Sequence, residues 1–162
     1  MLTLKNYKDP FLRRTAKPAD IKNITTEIIN EMTELMYANR GIGIAAPQVG
    51  ISERYFIYEF NNQINLIINP VIIEKSDATD MQIEGCLSIP NIYESISRPV
   101  MVRVKYIDLS GNEIEKQLFG LESRIFQHEY DHLDGKFFID YLSLVRKRML
   151  KPHEAKTDQI IF

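Results

Sequence analysis

The segment Gln127-His128-Glu129-Tyr130-Asp131-His132 places two histidines four positions apart, with a glutamate directly after the first. On an α-helix, residues four apart lie on the same face, so this spacing predicts a helix whose two imidazoles can bind one ion. Glu129 lies about 100° further round the helix, beside the ion, where a carboxylate can accept a proton from water. The pattern therefore predicts a metal-binding helix that also carries a general base. The competing interpretation is a surface helix with two unrelated histidines.

Composition limits the class of protein. The 162 residues suffice for one domain with a single core, so we expect one domain over residues 1–162. A hydrophobic fraction of 44% and a charged fraction of 26% are typical of a soluble globular chain. The net charge of −2 excludes a strong overall basic field, so any contact with nucleic acid would have to be local. No stretch approaches the roughly 18 apolar residues of a membrane-spanning helix.

The cysteine content and the first residues bear on the compartment. Cys86 is the only cysteine, which excludes an intramolecular disulfide and suggests a reducing environment. Residues Met1 to Arg14 lack both the apolar stretch of a signal peptide and the acid-poor composition of a transit peptide. We therefore expect a cytoplasmic protein, and an organellar location would require that a transit peptide has been removed.

The spacing of apolar residues predicts an α+β domain. Apolar residues that recur at spacings of three and four predict a first helix with Asp20 as its N-cap, ended near Asn39 by Gly41 with a positive φ. The metal helix should follow Gly120 and run to about Leu133, and a last helix should cover residues 142–150. The predicted strands are 54–60, 64–69 (ended by Pro70), 71–74, 100–105 and 113–119. The first two strands should form a hairpin.

A catalytic ion needs a third protein ligand, because such sites commonly use three and keep one position for water. Cys86 lies beside Gly85, which permits close approach of the backbone, whereas His153 lies in a polar tail after Pro152. A lone cysteine is more often a small buried hydrophobe, but the helix motif favours ligation. A thiolate with two imidazoles suits Zn²⁺ or Fe²⁺ better than Mg²⁺ or Ca²⁺.

Three segments together resemble the peptide deformylase family, enzymes that remove the formyl group from nascent chains. They are Gly41–Gln48, Glu84–Ser88 and Gln127–Leu133, and their order and spacing match the family over nearly the whole chain. The resemblance implies an α+β fold of short, mostly antiparallel sheets around a central helix that carries HExxH, with N-terminal and C-terminal helices. It also implies one divalent ion bound by Cys86, His128 and His132. That ion would be Fe²⁺ in the cell, with Zn²⁺, Ni²⁺ or Co²⁺ as replacements.

The resemblance also implies catalytic roles. The expected reaction removes the formyl group from an N-terminal formylmethionine by attack of metal-bound hydroxide, with Glu129 as general acid and base. The side-chain amide of Gln48 and the backbone N–H of Leu87 would bind the formyl oxygen and favour the tetrahedral oxyanion. Without the resemblance, Gln48 could equally be a loop amide that satisfies backbone groups, and Leu87 could be ordinary core.

The methionine side chain of such a substrate needs an apolar pocket. The expected substrate-binding residues are Ile42, Gly43, Ile44, Gly85, Arg98, Leu121, Arg124 and Ile125. An extended substrate would pair with the backbone of Ile42 and Gly85, and Arg98 resembles a family position near the substrate backbone. Ordinary core packing is the alternative for Ile44 and Ile125, turn geometry for Gly43, and a solvated side chain for Arg98.

Arg124 departs from the family pattern, because many members have an apolar pocket residue at this position. We expect its stem to form the pocket wall while its guanidinium reaches solvent, which would make the pocket entrance partly polar. On that expectation, Arg124→Leu would change KM for formyl-Met peptides more than kcat.

Partners and alternative functions follow from fewer residues. The basic residues near the last helix predict a solvated face or, more sharply, contact with ribosomal RNA; they are Arg146, Lys147, Arg148 and Lys151. We expect a monomer without a membrane partner. The alternatives are a zincin-like metallopeptidase, which normally recruits a downstream Glu or His as third ligand, and an inactive deformylase-like binding protein. A closed structural metal site is disfavoured, because it needs four protein ligands and the chain has one cysteine.

Overall fold

Two antiparallel sheets surround one helix in the computed structural model, which describes residues 1–150 and 161–162. This is the α+β arrangement expected from the sequence. The helices are α1 Thr26–Ala38, α2 Gly120–Leu133 and α3 Leu144–Arg148. The strands are β1 Gly43–Ala45, β2 Tyr55–Phe60, β3 Gln63–Lys75, β4 Thr79–Cys86, β5 Ile89–Pro99, β6 Met101–Ile107 and β7 Glu113–Phe119. Short 3-10 helices cover Pro10–Arg13, Ile21–Asn23, Ala46–Val49 and Phe138–Tyr141.

The larger sheet has the strand order β1-β2-β3-β6-β7, and every neighbouring pair is antiparallel. The predicted hairpin is confirmed between β2 and β3, where Asn61 and Asn62 adopt the positive φ values of a tight turn. The prediction that Pro70 ends the second strand is wrong. The register shifts between Ile68 and Val71, so the proline lies at an irregularity where no ladder hydrogen bond is required of it.

The first helix differs from the prediction at both ends. Asp20 caps only the short 3-10 turn, and α1 begins later, with the Thr25 side chain accepting from the backbone N–H of Ile28 at 3.3 Å. The positive φ at its end belongs to Arg40 (60°) and not to Gly41. The N–H of Gly41 instead donates to a carbonyl of the last turn, so the helix end is satisfied without a left-handed glycine there.

The central helix α2 has the predicted bounds and is buried on almost every side. Only Gly120, Leu121 and Tyr130 of its residues are not buried. Its apolar side packs against the larger sheet, for example through Phe126, whose ring meets that of Phe56 edge to face at 5.1 Å. Its polar side chains are buried too, so they need partners inside the protein.

The second sheet, a hairpin of β4 and β5, was not predicted from the sequence. In β4 the usual alternation of buried apolar and exposed polar side chains is reversed, because Met81 and Ile83 are exposed whereas Glu84 is fully buried. The hairpin carries Cys86 to the polar side of α2. It therefore brings the mid-chain motif to the metal helix.

The last helix is shorter than predicted, because the side chain of Ser143 caps α3 by accepting from the N–H of Arg146. The predicted end near Pro152 lies outside the described residues, as do Lys151 and His153. Within the described part of the chain, no helix has the length and apolar character needed to cross a membrane.

Candidate metal centre and active site

Cys86 at the end of β4 meets the two histidines of α2. The cysteine sulfur and one ring nitrogen from each of His128 and His132 lie within 4.8 Å of one another. The sulfur is 3.3 Å from Nε2 of His132. All three side chains are buried. The three residues that the sequence suggests as metal ligands are therefore brought together.

The orientation of His128 fits a metal ligand. Its Nδ1 lies 3.0 Å from Oε2 of Glu84, so the other ring nitrogen is left for the cluster. That atom, Nε2, is buried and has no hydrogen-bond partner among the described residues. A buried polar atom without a partner is costly unless something else binds it. Together with one sulfur and a second imidazole, this donor set suits a divalent transition-metal ion.

Burial also sets the protonation states in this cluster. Burial raises the pKa of the Cys86 thiol, and the nearby charge of Glu129 raises it further. Burial lowers the pKa of His132 well below its usual value, so the ring is neutral near pH 7. An ion binds the thiolate and the neutral imidazole, so its uptake must displace the thiol proton.

Glu84 orients His128 and was not among the site residues predicted from the sequence. Its fully buried carboxylate accepts from Nε and Nη2 of Arg98 at 2.6 and 2.9 Å and from Nη1 of Arg124 at 2.6 Å. Burial opposes ionisation, but the hydrogen bonds with His128 and Arg98 hold the pKa of Glu84 well below its usual value. An ionised Glu84 fixes the ring of His128. Its position two residues before Cys86 was the available signal.

Arg98 and Arg124 require a correction. Arg98 is 2% exposed and its remaining donor Nη1 bonds to Asp131 at 2.8 Å, so its guanidinium is committed to carboxylates and not to a substrate backbone. Arg124 is 1% exposed, and its Nη2 bonds to Asp80 at 2.6 Å. Its guanidinium does not reach solvent, because the carboxylates of β4 hold it in the interior.

Glu129 is free to act as a base. Its carboxylate is fully buried, and neither oxygen has a hydrogen-bond partner in the described part of the chain. Burial raises the pKa of Glu129 well above its usual value; the charge of Arg98 opposes this shift, and Glu84 and Asp131 add to it. A carboxyl with a raised pKa can accept and hold a proton near neutral pH.

Gly43 provides the space for that carboxylate. A Cβ at Gly43 would overlap Oε1 of Glu129 and would lie 2.9 Å from its Cδ. Gly43 therefore lies against the proposed general base, and its expected contact with a substrate stays a prediction.

The two predicted oxyanion donors lie next to the cluster. The N–H of Ala45 donates to Oε1 of Gln48 at 2.8 Å, which turns Nε2 towards Cys86 Sγ at 3.6 Å and Ser88 Oγ at 3.2 Å. The N–H of Leu87, one residue after the cysteine, donates to the carbonyl oxygen of Phe162 at 2.8 Å. The Gln48 amide is therefore oriented by neighbouring backbone, whereas the N–H of Leu87 is already engaged by Phe162.

The predicted pocket residues divide into two groups. Ile42, Leu121 and Ile125 line one open pocket of about 440 Å³ beside α2, although Ile125 is fully buried and also belongs to the hydrophobic core. Ile44 is fully buried and packs with the apolar side of α1, so its interpretation as ordinary core is the one the structure supports. Gly85 lies at the end of β4, where a Cβ would meet the ring of Tyr93 at 2.6 Å.

The central helix carries buried imidazole donors that, with the cysteine sulfur, could hold a metal ion, and a free carboxylate lies beside them. This arrangement is typical of metal-dependent hydrolases. The family model described as polypeptide deformylase matches residues 1–148, and the chain belongs to this family.

Individual relatives agree with that assignment. A peptide deformylase of Thermotoga neapolitana is 41% identical over 156 residues, covering 93% of this chain and 95% of the relative. The crystal structure of peptide deformylase from Thermotoga maritima has a TM-score of 0.84 at 42% identity, covering 88% of this chain and 98% of that one. A peptide deformylase from Plasmodium falciparum has a TM-score of 0.85 at 37% identity, covering 92% and 90%. These findings favour neither the metallopeptidase nor the inactive binding protein.

Proposed function

We propose that this protein is a peptide deformylase, which removes the N-formyl group from the N-terminal formylmethionine of nascent polypeptides. Family membership supports the activity, and one observation carries its assignment to residues. Cys86 lies beside His128 and His132, with the unpartnered carboxylate of Glu129 next to them. A metallopeptidase of the zincin type would need a downstream Glu or His ligand, and here the third donor is a cysteine that precedes the helix.

In the proposed mechanism, Cys86, His128 and His132 would hold one divalent ion. That ion would lower the pKa of water and so supply a nucleophile near neutral pH. Glu129 accepts a proton from water as the water oxygen forms a bond to the formyl carbon, and it holds this proton because the pKa of its carboxyl is raised. Glu129 then delivers the proton to the departing amine nitrogen as the bond between the formyl carbon and nitrogen breaks. The products are formate and a free N-terminal amine.

Two donors would bind the formyl oxygen as it becomes an oxyanion. They are Nε2 of Gln48, whose orientation is fixed by Ala45, and the N–H of Leu87 after it is released from the carbonyl oxygen of Phe162. Donors that are fixed before the reaction need no reorganisation when charge develops. The methionine side chain would lie against Ile42, Leu121 and Ile125, and the extended substrate would pair with the backbone of Ile42 and Gly85.

The activity is tested by comparing a formyl-Met peptide with the same peptide lacking the formyl group. We expect turnover only of the formylated peptide. Glu129→Gln should lower kcat by roughly 10²- to 10⁴-fold at unchanged metal content, and Gln48→Ala by roughly 10²- to 10³-fold. Glu115→Gln on the exposed face of β7 is the matched control and should leave kcat unchanged. Hydrolysis of the unformylated peptide, or full turnover by Glu129→Gln, would contradict the proposal.

We propose Fe²⁺ as the native ion, with Zn²⁺, Ni²⁺ or Co²⁺ as replacements. The support is the donor set of one thiolate and two imidazoles, which accepts each of these ions. Ferrous iron beside a thiolate should make activity sensitive to air, because the sulfur can be oxidised. Anaerobic purification should therefore give iron-containing, active enzyme that loses activity in air unless catalase is added. Zinc at full occupancy with air-stable activity would contradict the assignment.

We also propose that the exposed basic residues of α3 contact ribosomal RNA. Arg148 is exposed, while Nε of the half-exposed Arg146 lies 2.9 Å from Glu94, so part of the positive charge is already paired. Lys147 is only partly exposed, and its Nζ donates to the carbonyl oxygen of Asp140 at 3.1 Å; Lys151 lies outside the described residues. Arg148→Glu should weaken salt-dependent cosedimentation with ribosomes. Lys8→Glu, an exposed charge reversal elsewhere, should not; equal binding by both variants would count against the contact.

Finally, we propose a single-domain monomer located in the cytoplasm, without a membrane partner. The support is the family match over one continuous stretch and a buried free thiol that a reducing compartment would preserve. Light scattering should give the mass of one chain, 18.9 kDa. A mass of twice that value would contradict the monomer.

A further inference from the structure

Ile161 and Phe162 lie as a short added strand in the active-site groove, the space between the backbone of residues 41–42 on one wall and residues 85–87 on the other. Ile161 forms parallel bridges with Gly41 on one side and with Gly85 on the other. The N–H of Ile42 donates to the carbonyl oxygen of Ile161 at 2.9 Å. The segment is therefore held by backbone hydrogen bonds from both walls.

Phe162 completes the contact with the wall that carries Cys86. Its N–H donates to the carbonyl oxygen of Gly85 at 3.1 Å, and its own carbonyl oxygen accepts from the N–H of Leu87 at 2.8 Å. Two hydrogen bonds on this wall and one on the other pair the segment as a strand is paired in a sheet.

The ring of Phe162 is buried at the metal helix. It is 1% exposed and stacks on the ring of His128 at 5.0 Å between centroids, with 25° between the planes. Phe162 and Ile125 belong to one hydrophobic core cluster, and Ile42 and Leu121 pack against this cluster. These are the side chains that the proposed function assigns to the methionine of the substrate.

The segment thus uses the same groups as the substrate would. The N–H of Ile42, the carbonyl of Gly85 and the N–H of Leu87 are all engaged by Ile161 and Phe162. Each N–H has a single proton to donate, so the segment and an extended substrate cannot both be bound.

We propose that the active-site groove is a binding site for this chain's own Ile161–Phe162 segment, which competes with the peptide substrate. The inference rests on the proposed function, because that function identifies the groove as the substrate's. Substrate binds only to the form from which the segment has left. If that open form is populated at about 10% or less, apparent affinity falls by at least roughly 10-fold. The chemical step itself is unaffected, because it takes place after the segment has left.

The test compares Phe162→Ala with wild type as metal-loaded full chains acting on a formyl-Met peptide. We expect KM to fall by roughly 10-fold or more at unchanged kcat. Phe162→Leu keeps apolar bulk and should give a smaller fall, which tests the inference if the alanine variant is unstable. Leu144→Ala, an exposed apolar residue of α3, is the matched control and should leave KM unchanged. An unchanged or raised KM in both Phe162 variants would overturn the inference.

A second measurement does not depend on turnover. A fluorescently labelled, capped peptide of sequence Gln-Ile-Ile-Phe should bind Phe162→Ala at least roughly 10-fold more tightly than wild type. The matched peptide Gln-Ile-Ile-Ala should bind neither protein. If neither protein removes the formyl group but the Gln-Ile-Ile-Phe peptide still binds Phe162→Ala more tightly than wild type, the proposed function is wrong. The inference that the groove binds this chain's own segment is then still supported. Equal binding of that peptide to both proteins overturns the inference. A KM effect that grows with enzyme concentration would assign the segment to another copy and overturn the intramolecular form.

Discussion

The space at Gly43 gives the sharpest test of how the general base is positioned. Gly43 lies in β1, opposite Tyr58 of β2, and both the strand and the Glu129 side chain are buried. A Cβ added there would overlap Oε1 of Glu129 and would lie 2.9 Å from Cδ and 3.0 Å from Cγ. Ordinary carbon contacts begin at about 3.5 Å, so in Gly43→Ala the carboxylate must move by roughly 1 Å.

Two effects of Gly43→Ala follow from that displacement. Overpacking in a buried site costs about 1–3 kcal/mol of the free energy of unfolding, or roughly 2–12 °C in Tm for a chain of this size. A misplacement of about 1 Å in the reacting geometry costs about 10²-fold in rate. Because none of the three metal ligands is touched directly, we expect kcat to fall about 10²-fold while the purified protein keeps its metal.

The matched control is Gly111→Ala in the turn between β6 and β7. Gly111 has a φ of +85°, and its added Cβ would meet only Ile21 Cδ1 at 3.9 Å. The left-handed backbone should cost about 1–2 kcal/mol, a similar loss of stability far from the site. We therefore expect a comparable fall in Tm with normal kcat, measured by calorimetry and by steady-state deformylation. Equal loss of activity in both variants, or a wild-type kcat in Gly43→Ala, would show that the space at Gly43 does not position Glu129.

Three further outcomes can be measured. Because the pKa of Cys86 is raised and His132 is already neutral, metal uptake at pH 7 should release at least about one proton, and metal affinity should rise with pH. Calorimetry in buffers of different ionisation enthalpy measures the protons released, and a release of zero would contradict this prediction. Arg124→Leu removes one cation from the buried Glu84 and should lower the free energy of unfolding by roughly 3–5 kcal/mol. The control Arg103→Leu, on the surface, should lower it by less than about 1 kcal/mol, and similar midpoints of urea unfolding for the two variants would contradict this difference. Removal of the metal by a chelator should lower Tm, and the fall should grow with the logarithm of the free metal concentration present before the chelator is added. An unchanged Tm would contradict a bound ion.

Local patterns predicted the elements whose burial follows simple periodicity. The spacing of His128 and His132 gave the central helix, and the alternation around Val102 and Val104 gave β6. In these elements the side chains that face the core are those that a 3.6-residue or two-residue period selects.

The parts that the sequence did not predict depend on partners from distant elements. The β4–β5 hairpin was missed because Ile83 faces solvent while Glu84 faces inward, which no hydrophobic pattern indicates. Glu84 can be buried only because Arg98 and Arg124 reach it from other elements, and the same pairing moved both arginines away from the roles expected of them. The pairing of Phe162 with the groove is equally non-local.

The proposed metal centre requires that the sulfur of Cys86 and the rings of His128 and His132 bind one ion. X-ray absorption of the anaerobically prepared, iron-loaded protein measures this directly. The account predicts one sulfur scatterer at about 2.3 Å together with nitrogen scatterers at about 2.0–2.1 Å, by analogy with the bond lengths of zinc sites. Cys86→Ser should remove the sulfur contribution. A spectrum of the unmodified protein that contains only nitrogen and oxygen scatterers would contradict the proposed metal centre.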